Sequence, residues 1–197
     1  MKKAILVMLC LFLSARAYCD AIYTDEGSFL AQLGTSYLED FPGYAYASPG
    51  LGATLDGGPV NGYSWQASAS DSGGLFAVDQ GLSTSNAVNL VITFTGAPVT
   101  AFGGIFTSTE LSGATIPQDI VVTLSNGTNY TLNGSGWVGF TTDLPIASVT
   151  IDGIDGTYPN FPAVDHMYVG AAVPEPGTAV LLCMGAIGAA IYRRKRS

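Results

Sequence analysis

The middle of the chain alternates hydrophobic and polar residues with the period of two that is typical of β-strands. In the clearest case, segment 87–95, one face carries Val88, Leu90, Ile92 and Phe94. Similar short apolar runs follow at 99–106, 120–124, 130–132, 137–140, 146–152 and 166–169. Asn126-Gly127 separates two of these runs and predicts a hairpin turn. The pattern predicts an all-β domain of roughly eight to ten strands, folded as a jelly-roll-like two-sheet β-sandwich.

A short helix is predicted before these strands, between Thr24 and Gly34. Capping and acidic residues stand at its start and a glycine at its end, which are ordinary helix boundaries. Phe29, Leu30 and Leu33 would share one face. We expect the helix to pack across a sheet edge.

The chain begins with a segment that has the three-part plan of a secretory signal peptide. Two lysines precede an apolar run at 4–13, and small residues follow it. The small residues permit cleavage before Tyr18 or before Ile22, and the second position sets the predicted signal peptide at 1–21. Lipidation at Cys19 is a weaker alternative, because the residues before it lack the leucine and small-residue context that lipidation needs. Signal peptidase and the general secretory machinery are therefore expected partners.

A second hydrophobic block, 177–192, precedes four basic residues at the end of the chain: Arg193, Arg194, Lys195 and Arg196. A sixteen-residue helix rises about 24 Å, which is a little short of the ~30 Å hydrocarbon core. Snorkelling of the basic residues would complete the span, so the block predicts a single C-terminal transmembrane helix. The basic residues should stay cytoplasmic and the domain 22–173 should lie outside the cytoplasm.

Charge is distributed very unevenly along the chain. All seven Lys and Arg residues lie in the two terminal segments, so 22–173 contains no Lys or Arg. The same region carries thirteen of the fifteen acidic residues and the single histidine, His166. Nucleic-acid binding depends on cations that neutralise phosphates, so nucleic acid is excluded as a partner.

The three cysteines, Cys10, Cys19 and Cys183, also lie outside 22–173. The predicted domain therefore has neither disulfides nor thiolate metal ligands. With a single histidine as well, a zinc site is not expected there.

The end of the chain resembles the PEP-CTERM class of bacterial exported proteins. The resemblance covers residues 174–197 and consists of Pro174-Glu175-Pro176, the apolar block and the basic cluster, in that order. It implies that an exosortase, a membrane protease, recognises Pro174, Glu175 and Pro176 and removes the tail. Arg193, Arg194, Lys195 and Arg196 would then serve as the orientation signal. The alternative is a Pro-bounded linker on a permanent membrane anchor.

Two features of 22–173 could carry chemistry. Asp152 and Asp155, separated by glycine turns, are candidate calcium ligands, although Asp-Gly is also ordinary turn chemistry. Apart from that candidate Ca²⁺, no cofactor is expected. His166 lacks the Gly-x-Ser-x-Gly motif of a nucleophile elbow and is interpreted as a surface or edge-strand residue.

These features predict a non-enzymatic exported protein that is anchored briefly in the inner membrane. It would then reach the cell surface or the extracellular space, where its partner would be exopolysaccharide of a biofilm matrix. Two alternatives stay open: a secreted carbohydrate-active hydrolase, with Glu39 or Glu110 paired with an aspartate, and a permanently anchored periplasmic protein.

Overall fold

The protein is almost entirely β-structure in the computed structural model, which describes residues 20–41, 52–71, 73–78, 81–154, 156 and 159–173. The predicted signal peptide, except for its last two residues, and the sorting tail lie outside these residues. One helix, α1, spans Glu26–Leu30. The strands are β1 (Ala21–Tyr23), β2 (Leu33–Glu39), β3 (Thr54–Val60), β4 (Tyr63–Ala69), β5 (Leu75–Val78), β6 (Gly81–Thr84), β7 (Leu90–Phe94), β8 (Val99–Thr109), β9 (Asp119–Leu124), β10 (Asn129–Asn133), β11 (Ser135–Ile146), β12 (Ser148–Gly153) and β13 (Phe161–Ala172).

The strands form two antiparallel sheets. One has seven strands, in the order β1-β11-β8-β13-β6-β5, with β2 also paired to β13. The other has six strands, in the order β10-β9-β12-β7-β4-β3. The predicted two-sheet β-sandwich is therefore confirmed.

The core lies between the two sheets and follows the alternation seen in the sequence. Leu90 and Ile92 of the clearest predicted strand are fully buried. The largest buried side chains come from both sheets, and aromatic rings are prominent among them: Trp65, Phe102, Phe106 and Phe140. Because the two inner faces are apolar over most of their length, hydrophobic burial is the main source of stability.

The predicted hairpin at Asn126-Gly127 connects β9 to β10. Gly127 has a φ of 90°, the left-handed conformation that glycine adopts without strain. Its N–H donates to the Leu124 carbonyl over 2.9 Å, which closes the turn. The sequence prediction for this turn is confirmed.

The short predicted helix exists, but its position differs from the expectation. Asp25 caps it, since the Ser28 N–H donates to the Asp25 carboxylate over 2.8 Å. Leu33 begins β2 rather than continuing the helix, and Leu30 is exposed. The helix contacts the edge strand β1, as expected, and extends beyond it, because buried Phe29 rests on the outer face of the seven-stranded sheet against β11.

Among the described residues, no helix is long and apolar enough to cross a bilayer. The predicted transmembrane segment 177–192 lies outside those residues.

Candidate functional site

The outer face of the seven-stranded sheet is covered by aromatic rings around Phe29. The Phe29 ring centroid lies 5.2 Å from that of Trp137 on β11 and 6.2 Å from that of Tyr168 on β13. The ring of Tyr23, in β1, packs on a third side of Phe29, and the two ring centroids are 6.0 Å apart. This cluster fixes α1 on the sheet and thereby places the acidic residue Glu26 of its first turn beside β13.

His166 lies at a break in the pairing of β13. Before it, Ala163 and Val164 pair with β6, and after it, Met167 begins the pairing with β2. The register with β8 also shifts here, and His166 has a φ of 50°, which a non-glycine residue seldom adopts. Of the two expected positions, surface or edge strand, the second is wrong because β13 is paired on both sides, whereas the side chain does reach the surface. The irregular backbone turns the imidazole toward the end of β2.

Both nitrogens of the His166 ring face carboxylates. Nδ1 is 2.7 Å from Oδ1 of Asp40, which directly follows β2, and Nε2 is 3.5 Å from Oε1 of Glu26. The His166 side chain is 35% exposed, so the group is half-buried rather than fully solvated. One imidazole thus connects the helix to the end of β2.

Two further residues complete this group, which we call the His166 cluster: Glu26, Asp40, Asp165, His166 and Tyr168. The Tyr168 hydroxyl donates to Oε1 of Glu26 over 2.6 Å. Burial, this bond and the charges of Glu26 and Asp40 raise the pKa of Tyr168 to about 12. Burial also raises the pKa of Asp165, although the His166 N–H at 2.6 Å and the imidazole partly oppose that rise.

In the His166 cluster the imidazole contacts two carboxylates and is not placed to activate a nucleophile. A catalytic triad requires a hydroxyl at the histidine nitrogen that is not held by the acid, and here Nε2 faces Glu26 instead. Within the described part of the chain, no group of three or more His, Cys, Asp or Glu side chains is placed to hold a metal ion.

A cleft of about 190 Å³ adjoins the His166 cluster, and we call it the threonine cleft. Its polar lining residues are three threonines and one aspartate: Thr107, Thr109, Thr115 and Asp165. The Thr109 hydroxyl is buried and donates to the Phe161 carbonyl. A second cleft of about 90 Å³ shares Thr109 with it and includes Phe76, Glu110 and Phe161. Both are smaller than the 300–1,000 Å³ of ordinary small-molecule pockets.

The candidate calcium ligands are only partly described. Asp152 is the second-last residue of β12, before Gly153, whereas Asp155 lies outside the described residues. The turn after Gly153 has a structural role, since buried Asn160 donates to the Ile154 carbonyl and a β-carbon on Gly153 would lie 2.7 Å from Asn160. The calcium site stays a prediction.

Glu39 and Glu110 are alternative candidates for hydrolysis, each to be paired with an aspartate, and they lie at the ends of different strands. Glu39 ends β2 and accepts from the Phe41 N–H, and burial raises its pKa. Glu110 follows β8 and accepts from the Ser112 hydroxyl. Pro174, Glu175, Pro176 and the basic residues at 193–196 lie outside the described residues.

The sequence did not predict that Glu26 and Asp40 lie beside His166. The three residues come from a helix, a strand end and a β-bulge, and no spacing in the sequence encodes that meeting. One signal was available. A lone histidine in a region without Lys or Arg is the natural partner for nearby carboxylates.

Comparison with known proteins identifies one feature. Residues 172–196 match the PEP-CTERM protein-sorting motif. No curated protein and no solved structure matches the chain. The motif implies a protein that is exported, transits a membrane and is a target of an exosortase.

Proposed function

We propose that the chain is a non-enzymatic component of the cell surface or extracellular matrix, released from its membrane anchor by an exosortase. The observation that carries this proposal is the PEP-CTERM motif at 172–196, which begins where the last strand, β13, ends at Ala172. The strands of the described sandwich share only Ala172, the last residue of β13, with the motif. Removal of the tail after Pro174-Glu175-Pro176 would therefore leave both sheets whole.

Removal of the tail is tested by measuring the intact mass of the protein from its native host and from the same host without its exosortase. We expect the mature protein to lack Arg193–Arg196 in the first host and to retain them in the second. Glu175→Gln should also retain the tail, whereas the matched substitution Glu110→Gln in an exposed loop should not. A mature wild-type protein that still ends in the basic residues would instead support permanent anchoring.

The proposed ligand is exopolysaccharide, bound at the threonine cleft. The hydroxyls of Thr107 and Thr115 and the carboxylate of Asp165 can exchange hydrogen bonds with sugar hydroxyls. The aromatic lining of the neighbouring cleft offers apolar contact. Because 22–173 carries thirteen acidic residues and no Lys or Arg, an acidic glycan would be repelled. A neutral polysaccharide is therefore the favoured ligand.

Binding is tested by co-sedimentation of the purified protein with the host's exopolysaccharide, and with neutral and uronic-acid polymers. We expect the neutral polymer to bind and the acidic one to bind weakly at low salt. Thr107→Val removes a cleft hydroxyl and should reduce binding. Thr131→Val, on exposed strand β10 of the other sheet, is the matched control and should leave binding unchanged. Equal binding by both variants would contradict the cleft assignment.

The non-enzymatic role is supported by the His166 cluster, where both ring nitrogens are engaged with carboxylates. A reducing-sugar assay on the same polymers tests it. Release of sugar ends that stops on substitution of one carboxylate, such as Glu110→Gln, would establish the hydrolase alternative.

A further inference from the structure

The second cleft, beside the threonine cleft, has an apolar lining, and we call it the phenylalanine cleft. Phe76 of β5 and Phe161 of β13 line it together with Leu111, which lies in the loop after β8. Among the described residues, Leu111 is the most exposed large hydrophobic side chain, with 75% of its surface in contact with solvent. A leucine beside two phenylalanines provides apolar surface that a ligand can remove from water.

The polar side chains that line the phenylalanine cleft are already hydrogen-bonded within the fold. Ser83, Thr84 and Thr109 are buried, and their hydroxyls donate to backbone carbonyls over 3.0, 2.7 and 2.9 Å. The Ser85 hydroxyl accepts from a backbone N–H over 2.8 Å, and the Glu110 carboxylate accepts from a neighbouring hydroxyl over 2.6 Å. Because these groups have partners in the protein, the cleft offers a ligand mainly apolar contact.

The phenylalanine cleft is smaller than the space that an aromatic ring occupies. An apolar cavity of about 150 Å³ binds benzene, whereas this cleft has a volume of about 90 Å³. A group of a few heavy atoms fits that volume. The phenylalanine cleft shares Thr109 and Gly113 with the threonine cleft, so the two are adjacent. A sugar ring in the threonine cleft could therefore place a short substituent in the phenylalanine cleft.

Charge restricts which short substituents the phenylalanine cleft can accept. Glu110 lines this cleft and Asp165 lines the threonine cleft, while 22–173 has no Lys or Arg to neutralise an added anion. Substituents that carry a carboxylate, such as pyruvyl and succinyl groups, would be repelled. A substituent that ends in a hydroxyl would lose its hydrogen bonds to water in an apolar cleft. An acetyl group is small and neutral and ends in a methyl group, so it meets all three conditions.

We propose that the phenylalanine cleft binds the acetyl group of a neutral polysaccharide whose sugar ring occupies the threonine cleft. The methyl end of the acetyl group would contact Phe76, Leu111 and Phe161. The sugar would carry the acetyl group as an ester or as an amide, since both end in the same methyl group. This inference rests on the proposed function, because it requires polysaccharide binding at the threonine cleft.

Two matched pairs of ligands test the proposal by titration calorimetry with the purified protein. The first pair is the host's exopolysaccharide after mild alkali, which removes acetyl esters, and the same sample after chemical re-acetylation. The second pair is cello-oligosaccharides and chitin oligosaccharides, which have the same linkage and differ by an acetamido group. Burial of one methyl group strengthens binding about fourfold. We therefore expect the acetylated member of at least one pair to bind about fourfold more tightly than its partner.

The pair that shows the difference identifies the acetyl group as an ester or as an amide. Equal binding within both pairs would overturn the proposal. No binding of any of the four ligands would overturn the polysaccharide-binding function itself, so the two failures are distinguishable.

Two matched substitutions locate the preference in the fold. Leu111→Ser removes apolar lining and should bind the acetylated and unacetylated ligands equally. Leu144→Ser is the control, because Leu144 is 70% exposed and lies near Ile146, which pairs with Val99 at the start of β8, whereas Leu111 follows the end of β8. Both leucines are exposed, so neither substitution should unfold the protein. A preference that persists in Leu111→Ser, or that disappears in Leu144→Ser, would contradict the assignment.

Discussion

The ring of Phe29 lies against the backbone of Gly139, so closely that a β-carbon on Gly139 would fall 2.6 Å from Cδ2 of Phe29. Gly139 belongs to β11 and pairs with Gly103 of β8, which leaves a shallow trough across the outer face of the seven-stranded sheet. The trough admits a fully buried aromatic ring from a five-residue helix. The position of α1, and of Glu26 within it, therefore depends on the absence of a β-carbon at Gly139.

Gly139→Ala should destabilise the protein by about 1–3 kcal/mol, because the added methyl group would clash with the ring of Trp137 as well as with that of Phe29 and displace them. Urea denaturation measures the change in the free energy of unfolding. Gly27→Ala, in α1 itself, is the matched control. A β-carbon there would be 3.6 Å from its nearest neighbour, and alanine favours the helix. Equal stability of Gly139→Ala and the wild type would show that the ring has room to move.

Tyr168→Phe should weaken the connection between α1 and β13 by about 1 kcal/mol, since it removes the hydrogen bond to Glu26. It should also change the response to alkaline pH. The folded pKa of about 12 exceeds the ordinary value of 10.0, so the folded state holds its proton more tightly than the unfolded chain. This stability is complete below pH 10 and is lost as pH rises toward 12.

Denaturation curves across that alkaline range, with and without the substitution, check this prediction. Tyr168→Phe should show a smaller loss of stability between pH 10 and 12 than the wild type. Parallel curves for the wild type and Tyr168→Phe would mean that Tyr168 titrates normally.

Asp165→Asn tests the acid side of the same cluster. Burial raises the folded pKa of Asp165 above its ordinary value of 3.8, so protonation favours the folded state. The stability from this group is present below the ordinary pKa and is lost as pH rises through the folded pKa. An amide cannot ionise and still accepts from the His166 N–H. Denaturation should therefore show that Asp165→Asn gains stability relative to the wild type as the pH rises above the ordinary pKa of 3.8, by less than about 1 kcal/mol. A constant difference over that range would contradict the shift.

Much of the fold could be predicted from the sequence, because strand formation here is a local property. The alternation at Leu90 and Ile92 and the Asn126-Gly127 turn each describe short-range geometry, and both hold in the structure. Strand order is different. It depends on which of many similar apolar faces meet, and β13 pairs with β2, β6 and β8 across large sequence separations.

The candidate site was less predictable for the same physical reason. The pattern that places Leu33 on the helix face is equally compatible with a strand, and tertiary pairing with Ala172 determines that it belongs to β2. Once β2 is placed, Asp40 follows at its end beside His166. Glu26 and Asp40 lie beside His166 because of the strand topology, which cannot be predicted from the local sequence pattern.

Asn160 offers the sharpest test of how the sandwich is closed at the end of β12. It is fully buried, yet its amide makes three hydrogen bonds: it accepts from the Ser108 hydroxyl over 2.7 Å and donates to the carbonyls of Asp119 and Ile154. Asn160→Ala would remove these bonds and leave buried polar groups on β8 and β9 without this partner. We expect a loss of about 3 kcal/mol or more, measured by urea denaturation. Asn129→Ala removes one exposed bond and should change stability by less than about 0.5 kcal/mol. If the two substitutions lower the free energy of unfolding equally, water must replace the buried amide. The hydrogen bonds of Asn160 would then not be what joins the two sheets.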